Sequence, residues 1–158
     1  MDSTNSTVAL DLLVPLDLWD AFPFMIASAP PAVAAELYRL LAHSHAPYSG
    51  VRVAAAVEGA SGAIHYGVNV ENAAYPQGLC AEASAISGAI TKGETRLVRV
   101  WVASSIPGHI WPCGGCRQKI WEFSEPGCQV VSVAEDGACE GHAIETLLPL
   151  GFRLPPRG

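Results

Sequence analysis

The sequence Pro112-Cys113-Gly114-Gly115-Cys116 places two cysteines three positions apart, and Cys80-Ala81-Glu82 supplies a third cysteine 33 residues earlier. Both stretches lie where a loop is predicted to lead into a helix. Free backbone N–H groups and the positive end of the helix dipole favour a thiolate at such a position. A Cys-x-x-Cys turn lets two sulfurs bind one ion, and three thiolates with one open position are typical of a catalytic zinc site.

Glu82 follows the first cysteine by two residues and would stand beside the open position of such a site. Zinc lowers the pKa of a bound water molecule toward about 7, and a nearby carboxylate can accept the released proton and pass it on. Two simpler interpretations remain open: the cysteines could hold a structural zinc or fill a core, and Glu82 could serve only as a carboxylate at a helix start.

Composition and charge limit the classes of protein to which this chain can belong. The chain has 158 residues, which suits one domain; half of them are apolar and 15% are charged, so a disordered chain is excluded. The net charge is −6 and there is no run of basic residues, which argues against a nucleic-acid partner. Residues 1–31 carry four acids and no base, whereas 32–158 carry eleven acids and nine bases. We therefore predict an acidic, apolar N-terminal extension over 1–31 and a nearly neutral catalytic domain over 32–158.

The N-terminal stretch has no basic segment typical of a secretory signal. Its apolar run over 21–35 is interrupted by Pro23, Pro30 and Pro31 and is too short to cross a bilayer. These features predict a cytoplasmic protein with no membrane partner. Thiols stay reduced in that compartment, so the five cysteines are interpreted as metal ligands, catalysts or core residues before disulfides.

Hydrophobic periodicity and breaker residues predict alternating strands and helices after an opening hairpin. This order is typical of an α/β domain with a mixed sheet. The predicted helices are 32–43, 80–92, 114–123 and a turn at 145–148; the predicted strands are 51–57, 63–70, 98–103 and 130–133, with a weak strand or loop after 135–137.

Several motifs in order give the sequence a resemblance to the cytidine deaminases of the small, three-cysteine, homotetrameric type. The resemblance covers about residues 32–152 and rests on Ala46-Pro47-Tyr48-Ser49, the run from Gly67 to Pro76, Cys80-Ala81-Glu82, Pro112 to Gln118, and Leu147-Leu148-Pro149 with Phe152. It implies a three-layer α/β/α domain with a mixed sheet of about five strands, a homotetramer, and Zn²⁺ held by Cys80, Cys113 and Cys116.

The resemblance also implies roles for further residues. Asn69 and Glu71 would bind the ribose hydroxyls, and the backbone at Ala81 would face the pyrimidine. Tyr75 would lie near the site and a subunit interface, and Phe152 would reach a neighbouring subunit's cavity. Water activated by zinc would attack C4 of a cytosine nucleoside, while Glu82 protonates N3 and then the leaving amine, giving the uracil nucleoside and ammonia.

Two positions depart from the family pattern. Val51 stands where an aromatic residue usually packs on the pyrimidine, and Ala83 stands where an arginine usually follows the catalytic glutamate. The loss of the aromatic face predicts a site that tolerates a bulkier base or an N4 substituent. A second hypothesis is that Trp19, Phe22 or Phe24 of the N-terminal extension replaces that face.

Two alternatives to cytidine or deoxycytidine deamination remain open. The first is an enzyme that acts on a modified or antibiotic cytosine nucleoside, as blasticidin S deaminases do, or that removes other N4 substituents. The second is a zinc-stabilised nucleoside-binding protein without catalytic activity, against which Glu82 argues.

Overall fold

The computed structural model describes residues 27–155, so Trp19, Phe22, Phe24 and most of the predicted N-terminal extension lie outside the described residues. Two short 3₁₀ turns, Leu41–His43 and Tyr75–Gln77, accompany nine elements. In chain order these are α1 (Pro31–Leu40), β1 (Val53–Gly59), β2 (Ile64–Val68), α2 (Ala81–Thr91), β3 (Leu97–Ser104), α3 (Gly114–Phe123), β4 (Ser124–Val133), β5 (Cys139–Ala143) and α4 (Ile144–Leu147).

The strands form one mixed sheet in the order β2-β1-β3-β4-β5. The opening hairpin pairs β1 with β2 in antiparallel fashion, as the sequence predicts. β3 and β4 are parallel, and α3 makes the crossover between them, since parallel neighbours need a connection of a dozen or more residues. The remaining pairs are antiparallel.

Each face of the sheet is covered by helix. Alternate residues of β1 point to opposite faces: Ala54 and Ala56 pack in the cluster that contains α1 residues Val33 and Leu37. On the other face, Ala55 and Val57 pack in the cluster that contains residues of α2, α3 and α4. The three-layer α/β/α fold predicted from the sequence is therefore confirmed.

Gly67 fixes how closely α2 approaches the sheet. It lies in β2 opposite Ala55, and a Cβ added there would lie 2.3 Å from the backbone nitrogen of Ala85 and 2.6 Å from the carbonyl oxygen of Ala81. Only glycine allows this approach without a shift of the helix. The N-terminus of α2, with Cys80 and Glu82, is thereby held against the sheet.

The observed bounds agree with most predicted elements and differ at β4. This strand begins at Ser124 rather than near Val130, because its first residues pair with the start of β3 through a register shift near Leu97. Over residues 27–155, no helix combines the length and apolar character that crossing a membrane requires.

Candidate metal centre and active site

Three cysteine sulfurs converge at one point of the fold. The Sγ atoms of Cys80, Cys113 and Cys116 all lie within 4.8 Å of one another, and those of Cys80 and Cys113 are 4.0 Å apart. Three sulfurs arranged tetrahedrally at about 2.3 Å from one zinc ion would be separated by about 3.8 Å. The sulfur separations are therefore close to those that binding of a single ion requires. Three thiolates suit a borderline-soft metal such as zinc.

The three cysteines are brought together by the N-termini of two helices. Cys80 immediately precedes α2 and Cys113 immediately precedes α3, while Cys116 lies in the first turn of α3. Burial acts to raise the pKa of Cys113, but hydrogen bonds from the backbone N–H and thiol of Cys116, the thiol of Cys80 and the N–H of Gly115 together more than offset it, so the net shift is downward. Burial and the Glu82 carboxylate raise the pKa of Cys116. A bound cation would displace that proton.

Glu82 lies beside the sulfur cluster. Its side chain is 4% exposed, and its Oε2 atom lies 3.4 Å from Cys116 Sγ. Burial raises the pKa of the Glu82 carboxyl above its usual value, and contacts with its own backbone amide, Cys116 and Lys119 act in the opposite direction. A buried carboxyl next to a metal-binding cluster can exchange protons with a water molecule bound there.

The cation that acts on this carboxyl comes from α3. Lys119 Nζ donates a hydrogen bond to the carbonyl of Gly115 at 3.4 Å. The guanidinium groups of Arg117 and Arg52 are hydrogen-bonded to backbone carbonyls. Arg117 donates to the carbonyls of Pro112 and Leu147. Arg52 donates to two carbonyls at the end of the first helical segment.

A cavity of about 190 Å³ opens beside the cluster. Two cysteines, Glu82 and Ala81 are among the residues that line it, and the substrate-facing role of Ala81 stays a prediction. The described residues around it are Val53, Asn69, Cys80, Ala81, Glu82, Val102, Ile110, Trp111 and Cys113.

The side chains of Asn69 and Glu71 hydrogen-bond to residues 48–53, which we call the entrance segment. The Asn69 side chain accepts a hydrogen bond from the Val53 N–H at 2.8 Å and donates to the Val51 carbonyl at 2.9 Å. Glu71 accepts hydrogen bonds from the N–H groups of Tyr48 and Ser49 and from the Ser49 hydroxyl. These bonds lower the pKa of Glu71, so its carboxylate is ionised at neutral pH.

A second, shallower cavity of about 410 Å³ lies next to these residues, and Tyr48, Ser49, Glu71 and Tyr75 are among those that line it. The rings of Tyr48 and Tyr75 meet edge to face at 6.1 Å. Tyr75 is 76% exposed and Phe152 is 67% exposed. Their substrate and interface roles stay predictions.

Four residues that line the cavity were not expected from the sequence: Val53, Val102, Ile110 and Trp111. Trp111, the one aromatic residue among them, lies in the connection between β3 and α3. Its position two residues before a metal ligand was the signal that could have identified it. Val51, selected as a site residue, is not among the described residues that line this cavity.

Comparison with known proteins agrees with this geometry. Residues 32–132 match the cytidine and deoxycytidylate deaminase zinc-binding region. The chain is 36% identical over 121 residues to a cytidine deaminase of Mycoplasma pneumoniae, covering 75% of this chain and 90% of the relative. It is 38% identical over 108 residues to a probable cytidine deaminase of Dictyostelium discoideum, covering 68% and 72%.

Solved structures give the same answer. The crystal structure of cytidine deaminase from Burkholderia pseudomallei superposes with a TM-score of 0.70 at 32% identity, covering 77% of this chain and 97% of that chain. The cytidine deaminase of Mycobacterium leprae superposes with a TM-score of 0.63 at 35% identity, covering 73% and 93%. By sequence, fold and metal-binding cluster, this chain belongs to the cytidine and deoxycytidylate deaminase family.

Proposed function

We propose that this chain is a zinc-dependent hydrolase that deaminates cytidine or deoxycytidine. The observation that carries this proposal is the buried Glu82 carboxylate, which lines a cavity and lies 3.4 Å from one of three converging cysteine sulfurs. The relatives named as cytidine deaminases support cytosine nucleosides as the substrate class. The products are the uracil nucleoside and ammonia.

Cys80, Cys113 and Cys116 would hold the zinc ion, and their three-sulfur donor set leaves a tetrahedral position open. A zinc ion bound there would lower the pKa of a water molecule toward about 7. Glu82 would accept a proton from that water at Oε2, where burial keeps competing bulk water away. The water oxygen ends as the C4 carbonyl oxygen of the base.

Glu82 would then return protons to the substrate. It would deliver this first proton to N3 of the ring, then take the second water proton from the hydroxyl group now on C4 and pass it to the C4 amine, which leaves as ammonia. The same carboxylate can serve both steps because it faces the cavity from the first turn of α2. General acid–base catalysis by one positioned group typically contributes about 10²- to 10⁴-fold in rate.

The sugar of the nucleoside would bind at the end of the cavity away from the cysteines. Asn69 lines the cavity beside the cysteines and Glu71 lines the shallower cavity, and both side chains hydrogen-bond to residues 48–53, which supports a sugar site between the two cavities. Each carboxylate oxygen can accept more than one hydrogen bond, so Glu71 can bind a ribose hydroxyl while it holds residues 48 and 49.

The decisive experiment is a substrate panel on purified, zinc-quantified protein. We expect cytidine and deoxycytidine to be converted with the loss of ultraviolet absorbance that accompanies deamination. Glu82→Gln should retain zinc and lose activity by about 10²- to 10⁴-fold, since an amide cannot carry the proton. Zinc-loaded protein that converts neither nucleoside would contradict the proposal, and turnover of N4-substituted cytidines alone would favour the modified-substrate alternative.

We further propose a homotetramer. Large apolar side chains near the C-terminal end of the described chain are exposed, with Leu150, Phe152 and Leu154 each more than 60% accessible. Burial of such side chains against second copies would remove apolar area from water. Light scattering coupled to gel filtration measures the assembly, and a monomer at micromolar concentration would contradict it.

The division at residue 31 is also a proposal. The family match begins at residue 32 and α1 begins at Pro31, which supports it. The residues just before the boundary pack on the domain, because Trp101 Nε1 donates a hydrogen bond to the Ser28 carbonyl at 2.9 Å. A chain that starts at residue 27 should therefore fold and keep activity. The cytoplasmic location stays a prediction.

A further inference from the structure

The walls of the inner cavity differ in chemistry. Cys80, Cys113 and Glu82 contribute thiols and a carboxylate, and the aliphatic residues Val53, Val102 and Ile110 line much of the rest. Among the described residues that line the cavity, Trp111 is the one aromatic residue. A planar substrate ring that enters this space would therefore find one flat apolar surface.

The indole of Trp111 is held from outside the cavity. Its ring lies 4.8 Å from the ring of His142, with 54° between the two planes, and it packs against the core cluster of α2 and α3. His142 is itself held by Glu140, 3.2 Å away on the same strand. A ring supported on its outer side is positioned before substrate binds, so little conformational entropy remains to be lost on binding.

The backbone around the indole is anchored on both sides. The N–H of Ile110 donates to the Ser132 hydroxyl at 2.9 Å, and the carbonyl of Pro112 accepts a hydrogen bond from Arg117 Nε at 2.8 Å. Cys113, the residue after Pro112, contributes its sulfur to the cluster. The distance from the indole to the metal-binding end of the cavity is thereby set by the loop and cannot vary freely.

We propose that Trp111 forms the aromatic wall against which the pyrimidine ring of the substrate packs, and that this wall limits the size of the base that the site accepts. The inference rests on the proposed function. Nucleobases stack on aromatic side chains, and the contact is sequence-tolerant because every base presents a π face. Trp111 lines the cavity together with Cys113 and Glu82 and precedes Cys113 by two residues, so a ring stacked on the indole would lie beside the groups that act at C4.

The test compares Trp111→Ala and Trp111→Phe with wild type on cytidine and N4-methylcytidine, using zinc-quantified protein. We expect Trp111→Ala to lower kcat/KM for cytidine by about tenfold or more, chiefly through KM. The ratio of kcat/KM for N4-methylcytidine to that for cytidine should rise by about tenfold or more, because one methyl group in a tight apolar site discriminates to that extent. For Trp111→Phe, both kcat/KM for cytidine and the substrate ratio should lie between the values for wild type and Trp111→Ala.

A second readout does not depend on turnover. In the Glu82→Gln background, cytidine binding should quench tryptophan fluorescence, and the added change Trp111→Phe should abolish that quench. Trp121→Phe is the matched control, since Trp121 lies on α3, packed against Gly151 rather than in the cavity wall. Trp121→Phe should retain the quench in the Glu82→Gln background, and it should retain wild-type kinetics when Glu82 is present.

The outcomes separate this inference from the proposed function. Suppose wild type converts cytidine, but Trp111→Ala leaves the substrate ratio unchanged or the quench survives in Trp111→Phe. The proposed role of Trp111 is then wrong, and the proposed deaminase activity still stands. If zinc-loaded wild type converts neither nucleoside, the proposed function fails and the inference fails with it.

Discussion

Glu82 Oε2 lies 3.4 Å from Cys116 Sγ, although the two residues are 34 positions apart and belong to different helices. Glu82 lies in the first turn of α2 and Cys116 in the first turn of α3. The relation between the proton-transfer group and a metal ligand is therefore set by the packing of two helix N-termini against one sheet. Any change that shifts either helix should affect metal binding and proton transfer together.

Replacement of Cys116 should remove the metal, whereas the same replacement at a second buried cysteine should not. We expect Cys116→Ala to reduce bound zinc from about one ion per chain to near none, because two sulfurs cannot hold the ion against solvent. Cys128→Ala is the matched control, since Cys128 is equally buried and packs in the hydrophobic core. Elemental analysis of purified protein measures both, and zinc retained in Cys116→Ala would contradict the three-sulfur site.

The sulfur cluster could be predicted from the sequence because it depends on local chemistry. A cysteine before a helix and a Cys-x-x-Cys turn each place sulfur where backbone N–H groups are free, and this requires no knowledge of the sheet. The structure confirms the convergence of Cys80, Cys113 and Cys116 and the two helix starts. The mixed character of the sheet followed from the hairpin and the alternation of elements, whereas the strand order comes from the structure.

Other features depend on contacts between distant segments and were harder to predict. The first half of β4 contains Pro126-Gly127, a pair typical of turns, and its strand geometry comes from pairing with β3. Strand β5, Cys139–Ala143, is short and polar, so only its pairing with β4 identifies it. Trp111 lines the cavity because its loop is fastened to Ser132 through Ile110, and no sequence periodicity encodes that contact.

Cys128 should be chemically inert in the native protein. Burial, helped by the negative charge of Glu145, raises the pKa of its thiol to about 12, from an ordinary value of 9.0. Thiolates react and thiols do not, so iodoacetamide at pH 8 should leave Cys128 unmodified until the chain unfolds. Cys139, which is partly exposed, is the internal control and should be labelled before Cys128.

The same shift makes stability depend on alkaline pH. A raised pKa means that the folded state holds the Cys128 proton more tightly than the unfolded state, so its contribution is fully present below pH 9.0 and is lost as pH rises through about 12. Cys128→Ala should weaken the fall in unfolding free energy over that range. Rapid labelling of native Cys128, shown by mass spectrometry of peptides, would contradict its burial.

Glu71 should stabilise the entrance segment in a manner that depends on acidic pH. Hydrogen bonds from Ser49 and Tyr48 lower the pKa of its carboxyl below the ordinary 4.5. The stabilisation is therefore present above pH 4.5 and is lost as pH falls through the lower folded-state value. We expect Glu71→Gln to unfold at lower urea concentration than wild type at pH 7, with the difference shrinking below pH 4.

Two further variants separate this effect from loss of a carboxylate in general. Ser49→Ala removes the largest cause of the shift and should reproduce part of the pH dependence. Glu122→Gln, on an exposed part of α3, should give the wild-type profile. A Glu71→Gln difference that is equal at pH 7 and pH 3 would show that the carboxylate charge is not responsible. Glu71→Gln should also raise KM for cytidine, if the carboxylate binds the sugar as proposed.

Two glycine-to-alanine changes near α2 should act in opposite directions. At Gly67 the added Cβ would lie 2.3 Å from the Ala85 backbone nitrogen, so α2 must move away from β2 at a cost of about 1–3 kcal/mol in unfolding free energy. That movement displaces the N-terminus of α2, so zinc should also dissociate more readily into a chelator. At Gly88, within the same helix, an added Cβ meets no atom within 4 Å, and alanine should stabilise the helix by about 0.5–1 kcal/mol. Chemical denaturation and zinc release measured on both variants test this relation: destabilisation by Gly67→Ala with unchanged zinc release would show that the position of α2 and the metal site are independent.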